Sequence, residues 1–140
     1  MKIRATVSNE RDRNDVTLHT DERAHSIHIP SKAGGLGSSA NGGELLFLAL
    51  ATCFCNDLYR EAGSGGIEIT GVEVEVEGKF PAAGKPARNI VYRTKIKARH
   101  SNKEQVTDLL KHTDEVAEVH NTLRTGLDVR LVGETIEIVE

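Results

Sequence analysis

The 140-residue sequence has no tryptophan, and its two tyrosines and three phenylalanines make aromatics only 4% of the chain. That is too few for a platform on which nucleic-acid bases stack. There is no excess of positive charge either: 18 Lys and Arg stand against 21 Asp and Glu, a formal net charge of −3. Without a basic field, neither nucleic acid nor an anionic membrane surface is an expected partner. The longest apolar run, Leu45 to Ala51, falls far short of the roughly 18–20 residues that span a bilayer. The start, Met1 to Thr6, alternates and lacks the apolar stretch of a signal peptide. A cytoplasmic, unprocessed chain is therefore expected. Two cysteines, Cys53 and Cys55, do not make a disulfide framework and would be free thiols in a reducing compartment.

What is present is enough for a core. Apolar residues are 38% and charged residues 28%, the balance of a soluble globular protein, and the length fits one domain over residues 1–140. Ile3, Ala5 and Val7 alternate with polar residues, as do Val16 and Leu18, with the polar run Ser8 to Asp15 as the turn between them. Asp21-Glu22 marks a second turn, and His25, Ile27 and Ile29 form a third strand that Pro30 ends. The glycine-rich stretch from Ser31 to Gly43 reads as a flexible loop. Glu44 to Ala62 is apolar on nearly every face of its first three turns, the pattern of a buried helix.

Two long strands follow. Val72, Val74 and Val76 alternate with Glu73, Glu75 and Glu77, and Ile90, Tyr92, Thr94 and Ile96 answer them after a turn over Lys79 to Arg88. Ser101-Asn102-Lys103-Glu104 opens a helix through Val116, and Val119 to Leu123 continues as a shorter one that Gly126 breaks. Leu127, Val129 and Leu131, then Ile136 and Ile138, predict a closing hairpin around Gly133-Glu134. The plan is α+β, in the order βββ-α-ββ-α-ββ.

Cys53 is the most informative single residue. A cysteine within a buried helix is usually a small core hydrophobe; a reactive one needs a cation to favour its thiolate. Arg11 and Arg13, in the first turn, are the candidates. Cys53 and Cys55 stand about 200° apart around a helix, so neither a disulfide nor a shared metal suits them. His25 and His28 fall on opposite faces of a strand, and His19, His100, His112 and His120 show no ligand spacing and are expected at the surface. No metal or other cofactor is expected. Gly34-Gly35-Leu36-Gly37-Ser38-Ser39 is no phosphate loop, because the Lys-Ser/Thr ending is missing and acidic Glu44 opens the helix.

The run Asn41-Gly42-Gly43-Glu44-Leu45-Leu46-Phe47-Leu48-Ala49-Leu50-Ala51-Thr52-Cys53-Phe54 resembles the cysteine-bearing helix of the OsmC/Ohr family, the osmotically inducible and organic-hydroperoxide-resistance proteins. The hairpin starting near Gly66-Ile67 and the Ala117 to Leu131 region fit that family in order and length. The resemblance implies an intertwined homodimer, with strands wrapped around a central helix and two active sites at the subunit interface. It implies a thiol peroxidase in which Cys53 attacks an organic hydroperoxide and becomes a sulfenic acid. Arg11, in Glu10-Arg11-Asp12, matches the arginine that stabilises the thiolate, with Arg13 as the fallback. The family's carboxylate partner falls on Gly43, and Glu44, one residue later and about 100° around the helix, is its candidate substitute. The second, resolving cysteine falls on Ala117, and the family's serine nearby becomes His120, so the intramolecular disulfide cannot form. Two readings follow. One is a one-cysteine peroxidase resolved by an external thiol, or by Cys55. The other is a non-catalytic dimer that binds a small apolar or lipid-like ligand.

Overall fold

The computed structural model describes residues 1–139. Eight elements follow in the order β1 (Ile3–Glu10), β2 (Arg13–Thr20), β3 (Arg23–Ile27), α1 (Gly42–Ser64), β4 (Glu68–Lys79), β5 (Arg88–Arg99), α2 (Lys103–Val116) and α3 (Glu118–Thr125). They form two compact units, one covering Met1–Leu48 and one beginning at Ala49. The α+β class holds.

In the first unit, β1, β2 and β3 make an antiparallel meander in that order. Its register sets Val7, Val16 and Ile27 in one row across the sheet and Ala5, Leu18 and His25 in another, as period-two alternation requires. The first turn is tighter than the polar run Ser8 to Asp15 suggests. Asn9 and Asn14 pair across the strands, Nδ2 to Oδ1 at 3.0 Å, so polar residues extend the ladder and only Arg11-Asp12 turns. Asp12 takes the left-handed φ of 62° that such a turn needs. The third strand stops at Ile27, short of Ile29 and Pro30.

The glycine loop is not a loose lead into the helix. Asp12 N donates to Gly35 O at 2.6 Å, Gly37 N to Asn9 Oδ1 at 3.0 Å and Ser39 N to Pro30 O at 2.9 Å. Gly35, at φ 89°, approaches the turn so closely that an added Cβ would lie 2.5 Å from Asp12 Oδ1. A side chain there would be strained and would push the Asp12 carboxylate aside, and the loop is tied to the β1–β2 turn.

Helix α1 opens with a reciprocal cap: Glu44 N donates to Asn41 Oδ1 (2.8 Å) and Asn41 N to Glu44 Oε1 (2.9 Å). The expectation of a wholly buried helix is corrected. Leu50, Phe54, Leu58 and Ala62, at four-residue spacing, are buried, whereas Leu48 is 57% exposed. One stripe of α1 meets the core, while Leu45, Leu46 and Phe47 are half-buried and Leu48 is exposed.

That core belongs to the second unit. Phe54, Leu58, Ala62, Leu109 and Ala117 pack together, with Ile69, Val72, Val74, Tyr92 and Ile96 laid on them from β4 and β5. The other face of this ribbon is wet and carries Arg93–Glu75 (2.5 Å), Arg93–Glu77 (2.8 Å) and Lys95–Glu73 (3.5 Å) pairs. Asn102 and Gln105 cap α2 reciprocally, and Gly126 ends α3 in a left-handed conformation.

The predicted closing hairpin does not form. Residues 127–139 carry neither strand nor helix, and Leu127, Val129, Leu131, Ile136 and Ile138 are all exposed, Val129 to 95%. An alternating segment becomes a strand only when a sheet edge and an apolar surface receive it, and among the described residues no strand pairs with this one.

Leu58 is fully buried at the centre of this core. Leu58→Ala is expected to lower the unfolding free energy by about 2–5 kcal/mol, measured by chemical denaturation.

Candidate functional site

Cys53 and Asp57 are four residues apart on α1 and therefore share one face of the helix. Cys53 Sγ donates to Asp57 Oδ2 at 3.4 Å and lies 3.9 Å from Glu118 Oε2. Glu118 arrives because α2 ends and α3 begins at a single residue, Ala117, which is extended and completely buried against the core. The same turn directs the Val119 backbone N–H at the Cys53 sulfur. Arg60 spans both acids, 3.1 Å from Asp57 and 3.6 Å from Glu118, and it also reaches Glu61 at 3.4 Å. Sulfur and the two carboxyl groups offer three ligand atoms within 4.8 Å of one another, but Arg60 already supplies this cluster with a cation.

The electrostatics follow from depth. Burial holds the Cys53 thiol above its ordinary pKa; the Val119 N–H opposes this, and the nearby Asp57 and Glu118 carboxylates add to it. Burial also raises Asp57, helped by its hydrogen bond to Glu118. Glu118 is held below the usual carboxylate range by its own backbone N–H first and by Asp57 second. The two carboxyl groups are thus displaced in opposite directions, the inner one upward and the outer one downward.

The residues expected to form a catalytic set are distributed differently. Arg11 lies in the β1–β2 turn of the first unit, its Nη1 donating to Gly34 O at 3.1 Å. Arg13 pairs with Asp15 at 2.7 Å. Glu44 closes the α1 cap, also in the first unit. Cys53 belongs to the second unit, where its immediate partners are Asp57 and Glu118. Sequence reading missed both acids. The four-residue spacing of Cys53 and Asp57 was a usable signal; Glu118, 65 residues away, left none. Cys55 is half-buried and free.

His120, expected at the surface, is only 5% exposed. Its ring meets Tyr92 edge-on with centroids 4.8 Å apart and lies 5.9 Å from Phe54. Neither ring nitrogen has a hydrogen-bond partner among the described residues. Beside it, Leu50, Ile90, Tyr92, Leu123 and Arg124 complete the lining of a half-open cavity of about 240 Å³. Tyr92 donates its hydroxyl proton to Asp114, which Arg124 also holds at 2.8 Å. The cavity is apolar at its sides and polar at one end.

Comparison with known proteins agrees with this architecture. A family model described as OsmC-like protein matches residues 35–132. No curated protein sequence matches the chain. Among solved structures, the chain is similar to an OsmC-like protein from Mycoplasma pneumoniae (20% identity, 89% of this chain and 88% of that one, TM-score 0.65). It is also similar to an organic hydroperoxide resistance protein OsmC from Legionella pneumophila (18% identity, 89% and 90% coverage, TM-score 0.56). A third is the organic hydroperoxide resistance protein OhrB of Bacillus subtilis (18% identity, 93% and 96% coverage, TM-score 0.53). Identities this low carry the fold and not the activity. No helix is long and apolar enough to cross a membrane among the described residues.

Burial pushes the His120 pKa down, with Arg124 adding to the effect and Asp114 opposing it. In the unfolded chain the imidazole protonates near its ordinary value of about 6.5. Below that value the unfolded chain binds the extra proton first, so acidification costs stability. His120→Phe, which removes the unpaired nitrogens and keeps the ring, is expected to raise the melting temperature and to flatten its decline between pH 7 and pH 5 in thermal scans.

Proposed function

Given that the chain belongs to the OsmC-like protein family, we propose that it reduces organic hydroperoxides through Cys53. The observation that carries this reading is a half-exposed thiol on the family's helix with a hydrogen-bonded acceptor already in place for its proton. Attack of the thiolate on the terminal peroxide oxygen forms the S–O bond, breaks the O–O bond and releases an alcohol, leaving a sulfenic acid. Because Ala117 stands at the second-cysteine position and Cys55 points to another side of α1, an external thiol reduces the sulfenic acid.

The carboxylates around Cys53 oppose thiolate formation, so a cation must offset them. Arg11 is assigned that role, with Arg13 as the fallback and Glu44 as the acid that orients the arginine. The working form is a homodimer. Its support is the apolar surface left without cover in one chain: Ile3 and Val7 of β1, Leu48 of α1 and the alternating segment after Gly126 are all exposed. A second copy can receive that segment as added strands.

The cavity beside His120 favours a second reading, in which the protein binds a small apolar molecule carrying one polar group. A ligand that co-purifies with Cys53→Ser protein, found by native mass spectrometry, would support it.

One equivalent of cumene hydroperoxide with dimedone present is expected to give an adduct on Cys53, read by mass spectrometry. Arg11→Ala should slow its formation at least tenfold, as expected for loss of a charge that stabilises the attacking group. An unmodified Cys53 in folded protein would overturn the peroxidase. For the assembly, Leu131→Asp combined with Ile136→Asp should convert a dimer to a monomer in size-exclusion chromatography with light scattering. A dimer that survives both changes would place the interface elsewhere.

A further inference from the structure

We propose that Asp57 and Glu118 form a proton relay for Cys53, removing the thiol proton before attack and returning it to the leaving alkoxide. The inference rests on the peroxidase reading and adds to it two residues from outside the arginine–glutamate pair.

The geometry places the three groups together. The thiol donates to Asp57 Oδ2 at 3.4 Å, Glu118 Oε2 lies 3.9 Å from the sulfur, and the three groups offer atoms within 4.8 Å of one another. The two acids differ in depth. The Asp57 side chain is 7% exposed and that of Glu118 65%, so the inner carboxyl group meets the sulfur and the outer one meets water. Arg60 bonds both acids and holds them in register. The charged and polar groups that face the relay are Cys53, Arg60 and Glu61 from α1 and Glu118 with the Val119 N–H from α3. Glu61 is itself paired with His112 of α2 at 3.3 Å.

The step balances. Cys53–SH and ROOH give Cys53–SOH and ROH. The sulfur loses two electrons to the peroxide as the S–O bond forms and the O–O bond breaks. The thiol proton, held on the Asp57–Glu118 pair, ends on the alcohol oxygen. Proton transfer by a positioned group contributes about 10²–10⁴-fold to a rate, and that is the scale the test must resolve.

Wild type, Asp57→Asn and Glu118→Gln are treated with cumene hydroperoxide at pH 7, and dimedone-trapped sulfenic acid on Cys53 is followed with time by mass spectrometry. Iodoacetamide alkylation against pH is measured on the same proteins. Asp57→Asn removes a carboxylate from the sulfur and is expected to lower the alkylation midpoint while slowing oxidation at least tenfold. More thiolate with less turnover is a combination that a merely structural role would not give. Asp57→Asn oxidised as fast as wild type, or faster, overturns the relay alone. Should Asp57→Asn fail to fold by circular dichroism, Glu118→Gln at the surface decides: severalfold slower oxidation supports the relay, and an unchanged rate overturns it. No oxidation of wild-type Cys53 overturns the relay together with the peroxidase reading.

Discussion

A carboxyl group taken out of water must be paired, protonated or both, and the arrangement around Cys53 depends on how Asp57 meets that condition. Asp57 emerges from the same helix that presents Phe54, Leu58 and Ala62 to the core, so it cannot turn away without pulling the stripe with it. Arg60, one turn later, reaches back to it, and Glu118 comes from the start of α3. The buried acid thereby gathers the sulfur of Cys53, Arg60 and Glu118 around itself, beside the apolar contacts that seat Ala117 in the core.

The same constraint gives the thiol its character. In this environment Cys53 is neither an inert core cysteine nor a ready thiolate. Carboxylates and burial keep it protonated, while the Val119 N–H favours the charged sulfur.

How much could be read from the sequence differs sharply between elements. The β4–β5 hairpin was legible because valines alternate with glutamates over a long stretch, and α2 because a capping pattern opens it, although the pattern of Ser101 with an acid at Glu104 lies one residue before the actual cap of Asn102 with Gln105. Cys53 was legible by its motif. The first turn was misjudged because asparagine can pair across strands as well as turn a chain. Glu118 was invisible: periodicity describes neighbours in sequence and says nothing of a contact 65 residues away. His120 was misplaced for a related reason, since its burial is imposed by Phe54 and Tyr92 from other elements. The segment after Gly126 has the pattern of strands, but a pattern records what a strand could bury and not which chain supplies the surface.

The charged face of the β4–β5 ribbon has a consequence for folding. Glu73 stands opposite Lys95 and Glu75 opposite Arg93. If β5 slid by two residues, Glu73 would meet Lys97, Glu75 would meet Lys95 and Glu77 would meet Arg93. The slipped ladder is as well matched in charge as the native one, and Arg93 already bonds Glu75 and Glu77 together. Electrostatics therefore keeps this face soluble but is nearly blind to alignment. The choice falls to the inner face, where Val76 sits opposite Tyr92 and the tyrosine ring meets Phe54, and to the irregularities at Ile69/Gly71 and Glu77/Lys79. Alignment of the ribbon is thus set by its packed inner face and its two irregularities, and the charged face only keeps it in water.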